Sequence, residues 1–229
     1  MRESFFQAGY VSEIPRIQTK EERLEERALR FVERLEEAKR DIIPQNIDTI
    51  HIIAGTWGSF SNSQRINAGL NLYQRIAKEK EPPLLFINGN PQENQEFDEL
   101  SIERNIPNEK ILVIQDVSEG QLKYPILNTK DQAKSFFEQL NNPLSPLFES
   151  RNIAEVSHTP HFIRIPFYYG LYKDLPKSTQ INFFALGING HEGKEYDQFK
   201  QRELEKLTKY ANLGHLCTEP IKMGTLLTH

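Results

Sequence analysis

The sequence predicts an α/β protein: a Rossmann-like, doubly wound three-layer sandwich on a mainly parallel five-stranded sheet. Two observations predict it. Short apolar runs recur at 47–54 (IDTIHIIA), 84–87 (LLFI), 111–114 (ILVI) and 181–186 (INFFAL), and each stops at Gly, Asn or another polar residue. Between them lie segments whose apolar residues repeat at helical spacing. Continuous apolar strands fit a sheet covered on both faces. Their alternation with helices implies right-handed crossovers between parallel strands.

The elements follow in order. Residues 1–18 read as an extended or irregular arm. Thr19-Lys20-Glu21-Glu22 has capping-box spacing and opens a helix to about Arg40, with Leu24, Ala28, Phe31, Val32 and Leu35 on one face. Pro44 closes that segment. Residues 1–46 are thus expected to be an arm and an amphipathic helix packed on a single domain, 47–229. The first strand, 47–54, ends at Gly55, and a helix over 62–78 places Ile66, Leu70, Tyr73 and Ala77 on one stripe. Strand 84–87 is followed by a helix over 92–104, and strand 111–114 by a helix over 129–140 with Ala133, Phe136, Phe137 and Leu140 inward. The Pro-rich stretch 140–148 reads as a surface connection. A weaker strand at 152–156, a helix over 160–172, the strand at 181–186 and a helix over 195–211 complete the pattern.

Composition bounds the partners. Lys and Arg number 28 against 32 Asp and Glu, a net charge of −4, which argues against an electrostatically driven nucleic-acid binder. Cys217 is the one cysteine, so an internal disulfide and a cysteine-built zinc site are excluded. No apolar run approaches the roughly 20 residues that span a bilayer. Met1–Tyr10 has one basic residue and no long apolar core, unlike a secretory signal. The expectation is a cytoplasmic protein with no membrane partner and a small anionic molecule as ligand.

In such a sheet, ligands bind outside the carboxyl ends of the strands, where strand order reverses. The residues after each strand are therefore the candidates. They are Gly55-Thr56-Trp57-Gly58 with Arg65; Asn88-Gly89-Asn90 with Glu93; Asp116, then Asn128-Thr129 and Asp131; His158 and His161 with Arg164; and Gly187-Ile188-Asn189-Gly190-His191. The glycines also have a plain role in tight turns, Asn128 and Thr129 as helix caps, and the arginines in surface ion pairs. No complete dinucleotide fingerprint and no Walker-type Gly-Lys-Ser/Thr is present.

From Ile47 to Tyr169 the chain resembles the YdcF-like, SanA and ElyC family of bacterial proteins, a domain of unknown function numbered 218. The resemblance rests on Ile52-Ile53-Ala54-Gly55, Arg65, Ala68 and Leu70-Asn71-Leu72-Tyr73; on Asn88-Gly89 and Gln92-Glu93 before Asn105-Ile106-Pro107; on Asn128-Thr129-Lys130-Asp131-Gln132-Ala133; and on Val156-Ser157-His158-Thr159-Pro160-His161-Phe162-Ile163-Arg164. Asn88 and His158 stand where the family has Ser, and Pro160 where it has an aromatic residue. The resemblance implies a Rossmann-like fold and a polar pocket. Some members are membrane-anchored and tied to envelope biogenesis, a role not expected of a chain without an anchor.

Three functions compete. In the first, an enzyme acts on a nucleotide- or phosphate-containing anion. Arg65 and Arg164 hold the anion, with backbone N–H groups at Gly55–Gly58 and near Asn128. His161 is general acid or base, and Glu93 or Asp131 orients it or holds a ribose hydroxyl. In the second, the same pocket, with Thr56, Asn88, Gly89, Thr129 and His158, binds a nucleotide or adenosyl-type ligand without turnover. The third is a metal-dependent hydrolase using His158, His161 and His191; no metal ligand set is assigned.

Overall fold

The computed structural model describes residues 18–37, 46–58, 60–119, 122–188 and 193–226. A six-stranded parallel sheet forms its centre. The strands are β1 (Thr49–Ile52), β2 (Leu84–Asn88), β3 (Ile111–Ile114), β6 (Asn152–His158), β7 (Asn182–Ile188) and β8 (Met223–Leu226), in the spatial order β3-β2-β1-β6-β7-β8. The sheet grows one way from β1 to β3 and the other way from β6 to β8. The reversal therefore falls between β1 and β6, as in a Rossmann sandwich.

Six helices flank it: α1 (Lys20–Glu37), α2 (Asn62–Ala77), α3 (Pro91–Glu103), α4 (Thr129–Asn141), α5 (Ile165–Tyr169) and α6 (Lys194–Asn212). Strand alternation sends Ile50, Ile52, Leu85, Ile87, Ala154 and Val156 to one face, where α2 and α3 cover them. Ile53, Phe86, Ile153, Phe183 and Ala185 face the opposite layer, built by α1, α4, α5 and α6. α1 adds Leu24, Ala28, Phe31, Val32 and Leu35 to that layer. It is also tied to α6, because Thr208 donates to Glu25 at 2.7 Å and Lys200 to Glu36 at 3.2 Å.

Four differences from the sequence reading have physical causes. The sheet has a sixth strand, β8, whose short MGTL run carries a glycine and gave no apolar block. An antiparallel hairpin of β4 (Asp116–Glu119) and β5 (Leu122–Pro125) lies between β3 and α4. Its residues are mostly polar, and only Val117 is fully buried. The helix expected over 160–172 is three short pieces: a 3-10 turn at Thr159–Ile163, α5, and a 3-10 turn at Gly170–Tyr172. Pro166, in the middle of that span, lacks the N–H that a continuous helix needs. The surface connection at 140–148 exposes Leu144 yet buries Leu147 completely. Arm residues 1–17, Pro44 and His191 lie outside the described residues.

α2 approaches β1 closely through Gly69. A methyl group there would stand 2.5 Å from Ile52 Cδ1 and 2.6 Å from its Cγ1. Overpacking of this kind costs about 1–3 kcal/mol, against about 1 kcal/mol gained from replacing a helical glycine. Gly69→Ala is therefore expected to lower the unfolding free energy in urea titrations. Adding Ile52→Val, which removes Cδ1, should then cost less than it does in the wild-type background. Additive losses would show that the two groups do not compete for space.

Candidate functional site

A cleft of about 570 Å³ opens at the carboxyl ends of β1 and β6. Gly55, Thr56, Arg65, Glu93, Asn128, Thr129, Asp131, His161 and Arg164 all line it. Residues scattered over more than a hundred positions of sequence thus meet in one place, as the topology requires. Asn88, Gly89 and His158 do not line it; they stand behind its walls.

Arg65 sits in the first turn of α2, whose start is fixed by a capping box of Ser61 and Gln64. Its side chain is 2% exposed. Nη1 donates to the Ile53 carbonyl at 2.7 Å and Nε to His158 Nδ1 at 2.8 Å, so the guanidinium bridges the ends of β1 and β6. Among the described residues it has no carboxylate at ion-pair distance, and its Nη2 is left for the cleft. Burial, with the nearby Arg164 charge, lowers its pKa to about 10, although Glu93 and Glu203 act in the opposite direction. Gly55 makes the approach possible: at φ 139° it lies in glycine's region, and a methyl group there would be 3.1 Å from Arg65 Nη1.

His158 is a support for Arg65. Its Nδ1 accepts from Arg65, so Nε2 carries the proton and donates to Gln64 Oε1 at 2.9 Å. Burial and then the Arg65 charge push its pKa down to about 3. Both ring nitrogens are spent, which leaves none for a metal.

His161 is buried in the 3-10 turn after β6, with Nδ1 2.9 Å from Ser157 Oγ and Nε2 2.9 Å from Thr129 Oγ1. Its pKa lies well below the ordinary histidine value, first through burial and then through Arg65, Arg164, Lys206 and His158. The expectation that Glu93 or Asp131 orients His161 is corrected: Ser157 and Thr129 do. Each carboxylate instead closes the first turn of its own helix. Glu93 Oε2 accepts from Asn90 N at 2.9 Å, and Asp131 Oδ2 from Leu127 N at 3.1 Å and Asn128 Nδ2 at 2.8 Å.

Of the N–H groups expected near Asn128 to bind an anion, those of Lys130 and Asp131 are taken by Asn128 Oδ1 and that of Leu127 by Asp131 Oδ2. In the first loop, Gly55 N donates to Asn62 Oδ1 and Trp57 N to the Phe60 carbonyl.

Arg164 differs from Arg65. Its Nε donates to Glu203 Oε2 at 2.6 Å and its Nη1 to the Tyr168 hydroxyl at 3.0 Å, while the Tyr168 and Tyr210 rings flank the guanidinium. Burial alone would lower its pKa; the Glu203 charge and hydrogen bond outweigh that and raise it. Glu203 Oε1 also accepts from Lys206 at 2.8 Å, so one buried carboxylate serves two cations. Lys206 has its pKa lowered by burial, partly offset by Glu203.

Behind the cleft lies a second polar network. Asn88 Nδ2 donates to the Gln132 carbonyl at 2.6 Å, and its Oδ1 stands 2.9 Å from His51 Nε2. Gln132 Nε2 donates to the carbonyls of Ala54 and Asn88, both at 2.9 Å, and fastens α4 to β1 and β2. His51 Nδ1 faces Glu155 Oε2 at 2.8 Å, and the Tyr169 hydroxyl donates to the same oxygen. Gly89 has a packing reason: a methyl group there would be 2.7 Å from Ala54 Cβ.

The sequence reading names Ser157 and Gln132 without a site role and does not single out Glu203, Lys206, Tyr168 or Tyr210. Glu203 carried a signal, since it falls between Phe199 and Leu207 on the buried stripe of α6. Among the described residues no three His, Cys, Asp or Glu side chains are grouped to hold a metal. No helix among them is long and apolar enough to cross a membrane. No family model, curated protein or solved structure matches the chain.

The two histidines give a stability prediction. Both hold pKa values below 6.5 in the folded state, so the unfolded chain binds more protons as pH falls through that value. Stability is present at neutral pH and lost on acidification, by about 1.4 kcal/mol per pH unit for each histidine. For His158 the loss continues towards pH 3. Urea unfolding between about pH 7 and 5 should show this slope, and His158→Gln should flatten it. An identical slope in the variant would remove His158 from the account.

Proposed function

We propose that the chain is a YdcF-like small-molecule enzyme, a transferase or hydrolase, acting on an anionic nucleotide- or phosphate-containing ligand. The observation that carries this reading is Arg65: a guanidinium buried to 2% exposure with neutral partners only. Glu93 and Glu203 act on it from beyond ion-pair distance without offsetting its burial; a buried charge with no direct counterion is costly, and an anion in the cleft would supply one. Thr129, Arg164 and Lys206 stand around the same space. Burial, and then the surrounding cations, hold down the basicity of His161; in this reading an anion offsets the second cause and moves the imidazole back towards acid–base use.

That weak basicity favours a second reading, a binding module that holds a nucleotide or adenosyl-type ligand without turnover. His161→Ala separates the two. An enzyme should lose about 10²–10⁴ in turnover, whereas a binding module shows no product in either form.

The direct test uses the molecule retained on purification, identified by mass spectrometry, and inorganic phosphate as a simple probe. Arg65→Met should weaken binding by about 10- to 150-fold, the scale of a charged hydrogen bond. Arg65→Lys should recover only part, since an ammonium cannot span Ile53 and His158 while facing the cleft. Arg164 is the poorer probe, because its removal strands Glu203. Equal affinity in Arg65→Met, with the fold intact by thermal unfolding, would sink the anion site.

A further inference from the structure

We propose that Thr129 is the ligand-facing end of a one-way hydrogen-bond relay, Ser157 to His161 to Thr129, which fixes its hydroxyl as a donor to an ionised oxygen of the ligand. The ligand half of this proposal rests on the anion reading above; the relay itself does not.

Ser157 is fully buried on β6, and among the described residues its hydroxyl has one partner, His161 Nδ1 at 2.9 Å. A neutral imidazole donates from one nitrogen and accepts at the other. If Nδ1 carried the proton, the serine hydroxyl would accept, and its own proton would be left unbonded in the core. If Nδ1 accepts, the serine proton is satisfied. The penalty for an unmade buried hydrogen bond makes the first arrangement the minor one by about tenfold or more. Nε2 then bears the proton and donates to Thr129 Oγ1 at 2.9 Å.

Thr129 Oγ1 has no other partner among the described residues and lines the cleft. With one of its two lone pairs engaged by Nε2–H, its own proton is turned away from His161 and is free for the ligand. Burial first, and then Arg65 from α2, Arg164 ahead of α5, Lys206 from α6 and His158 from β6, oppose a further proton on His161 and favour the neutral ring this relay needs. The hydroxyl then joins Arg65 Nη2 and Arg164 Nη2, which have no partner among the described residues, as a third donor from a third element. Such a set fits a tetrahedral oxyanion such as a sulfate or a phosphoryl group.

The relay is tested in the ligand-free protein by long-range proton–nitrogen NMR correlations of His161, and the ligand role by calorimetric titration with sulfate. The expected result is a single tautomer protonated at Nε2. Ser157→Ala should leave a mixture of tautomers and weaken sulfate binding about 3- to 10-fold, although Ser157 does not touch the cleft. Thr129→Val should weaken it about tenfold or more, and Thr129→Ser should stay within about threefold of wild type. Thermal unfolding checks that each variant is folded. A ring protonated at Nδ1 in the wild type overturns the relay, even where sulfate binds. An Nε2-protonated ring with no sulfate binding overturns the anion reading and the ligand role of Thr129 with it.

Discussion

Arg65 spans the gap where the sheet reverses its direction of growth, and much of the surrounding structure exists to hold it there. β1 and β6 are neighbours, yet their chains leave in opposite directions, which opens a crevice at their carboxyl ends. The guanidinium closes the base of that crevice by bonding the Ile53 carbonyl on one side and His158 on the other. Gln64 Oε1 accepts both from Ser61 N, at 3.1 Å, and from His158 Nε2. The cap of α2, the tautomer of His158 and the direction of Arg65 are therefore one network. Both anchors of the arginine are neutral, so they fix its position without cancelling its charge.

That charge organises what lies above it, while the network beneath keeps its own charges apart. The amide of Asn88 cannot be reversed, because its Nδ2 must face the Gln132 carbonyl. Its oxygen therefore faces His51 Nε2, which must donate. The Nδ1 of His51 faces Glu155 Oε2, and the ring stacks on Phe136 with Phe86 tilted against it. Burial, and then Glu155, pushes the Tyr169 hydroxyl well above its ordinary pKa, which keeps it a donor to that carboxylate. Gln132 ties this network to α4, the helix that presents Thr129.

The layers and the location of the cleft were legible in the sequence because both follow from periodicity. Apolar blocks gave five of the six strands, and strand–helix alternation placed their carboxyl ends together. β8 and the β4–β5 hairpin escaped because MGTL, DVSE and LKYP carry too little apolar surface to register. Of the candidates, Gly55, Thr56, Arg65, Glu93, Asn128, Thr129, Asp131, His161 and Arg164 line the cleft, and three assigned to the ligand pocket do not. The three that do not, Asn88, Gly89 and His158, lie at or beside strand ends. There the pleat turns alternate side chains to opposite faces, and a slip of one position decides between cleft and core. The partners of His161 were not legible, since Ser157 and Thr129 are 28 positions apart and hydroxyls at turns have many plain uses.

Two arginines that the sequence ranks alike are separated by a single residue. Arg65 and Arg164 follow neighbouring strands, line the same cleft and are almost equally buried. Glu203 makes the difference. From the buried face of α6 it binds Arg164 and Lys206 together, so one negative charge answers two positive ones. An anion bound as proposed would compete with Glu203 for Arg164, and what it gained there would be offset by what Glu203 lost. At Arg65 it would meet no carboxylate at ion-pair distance among the described residues, since Glu93 and Glu203 act on that guanidinium only from farther off. The same residue type therefore has two functions, a free charge at the base of the crevice and a braced one on its wall.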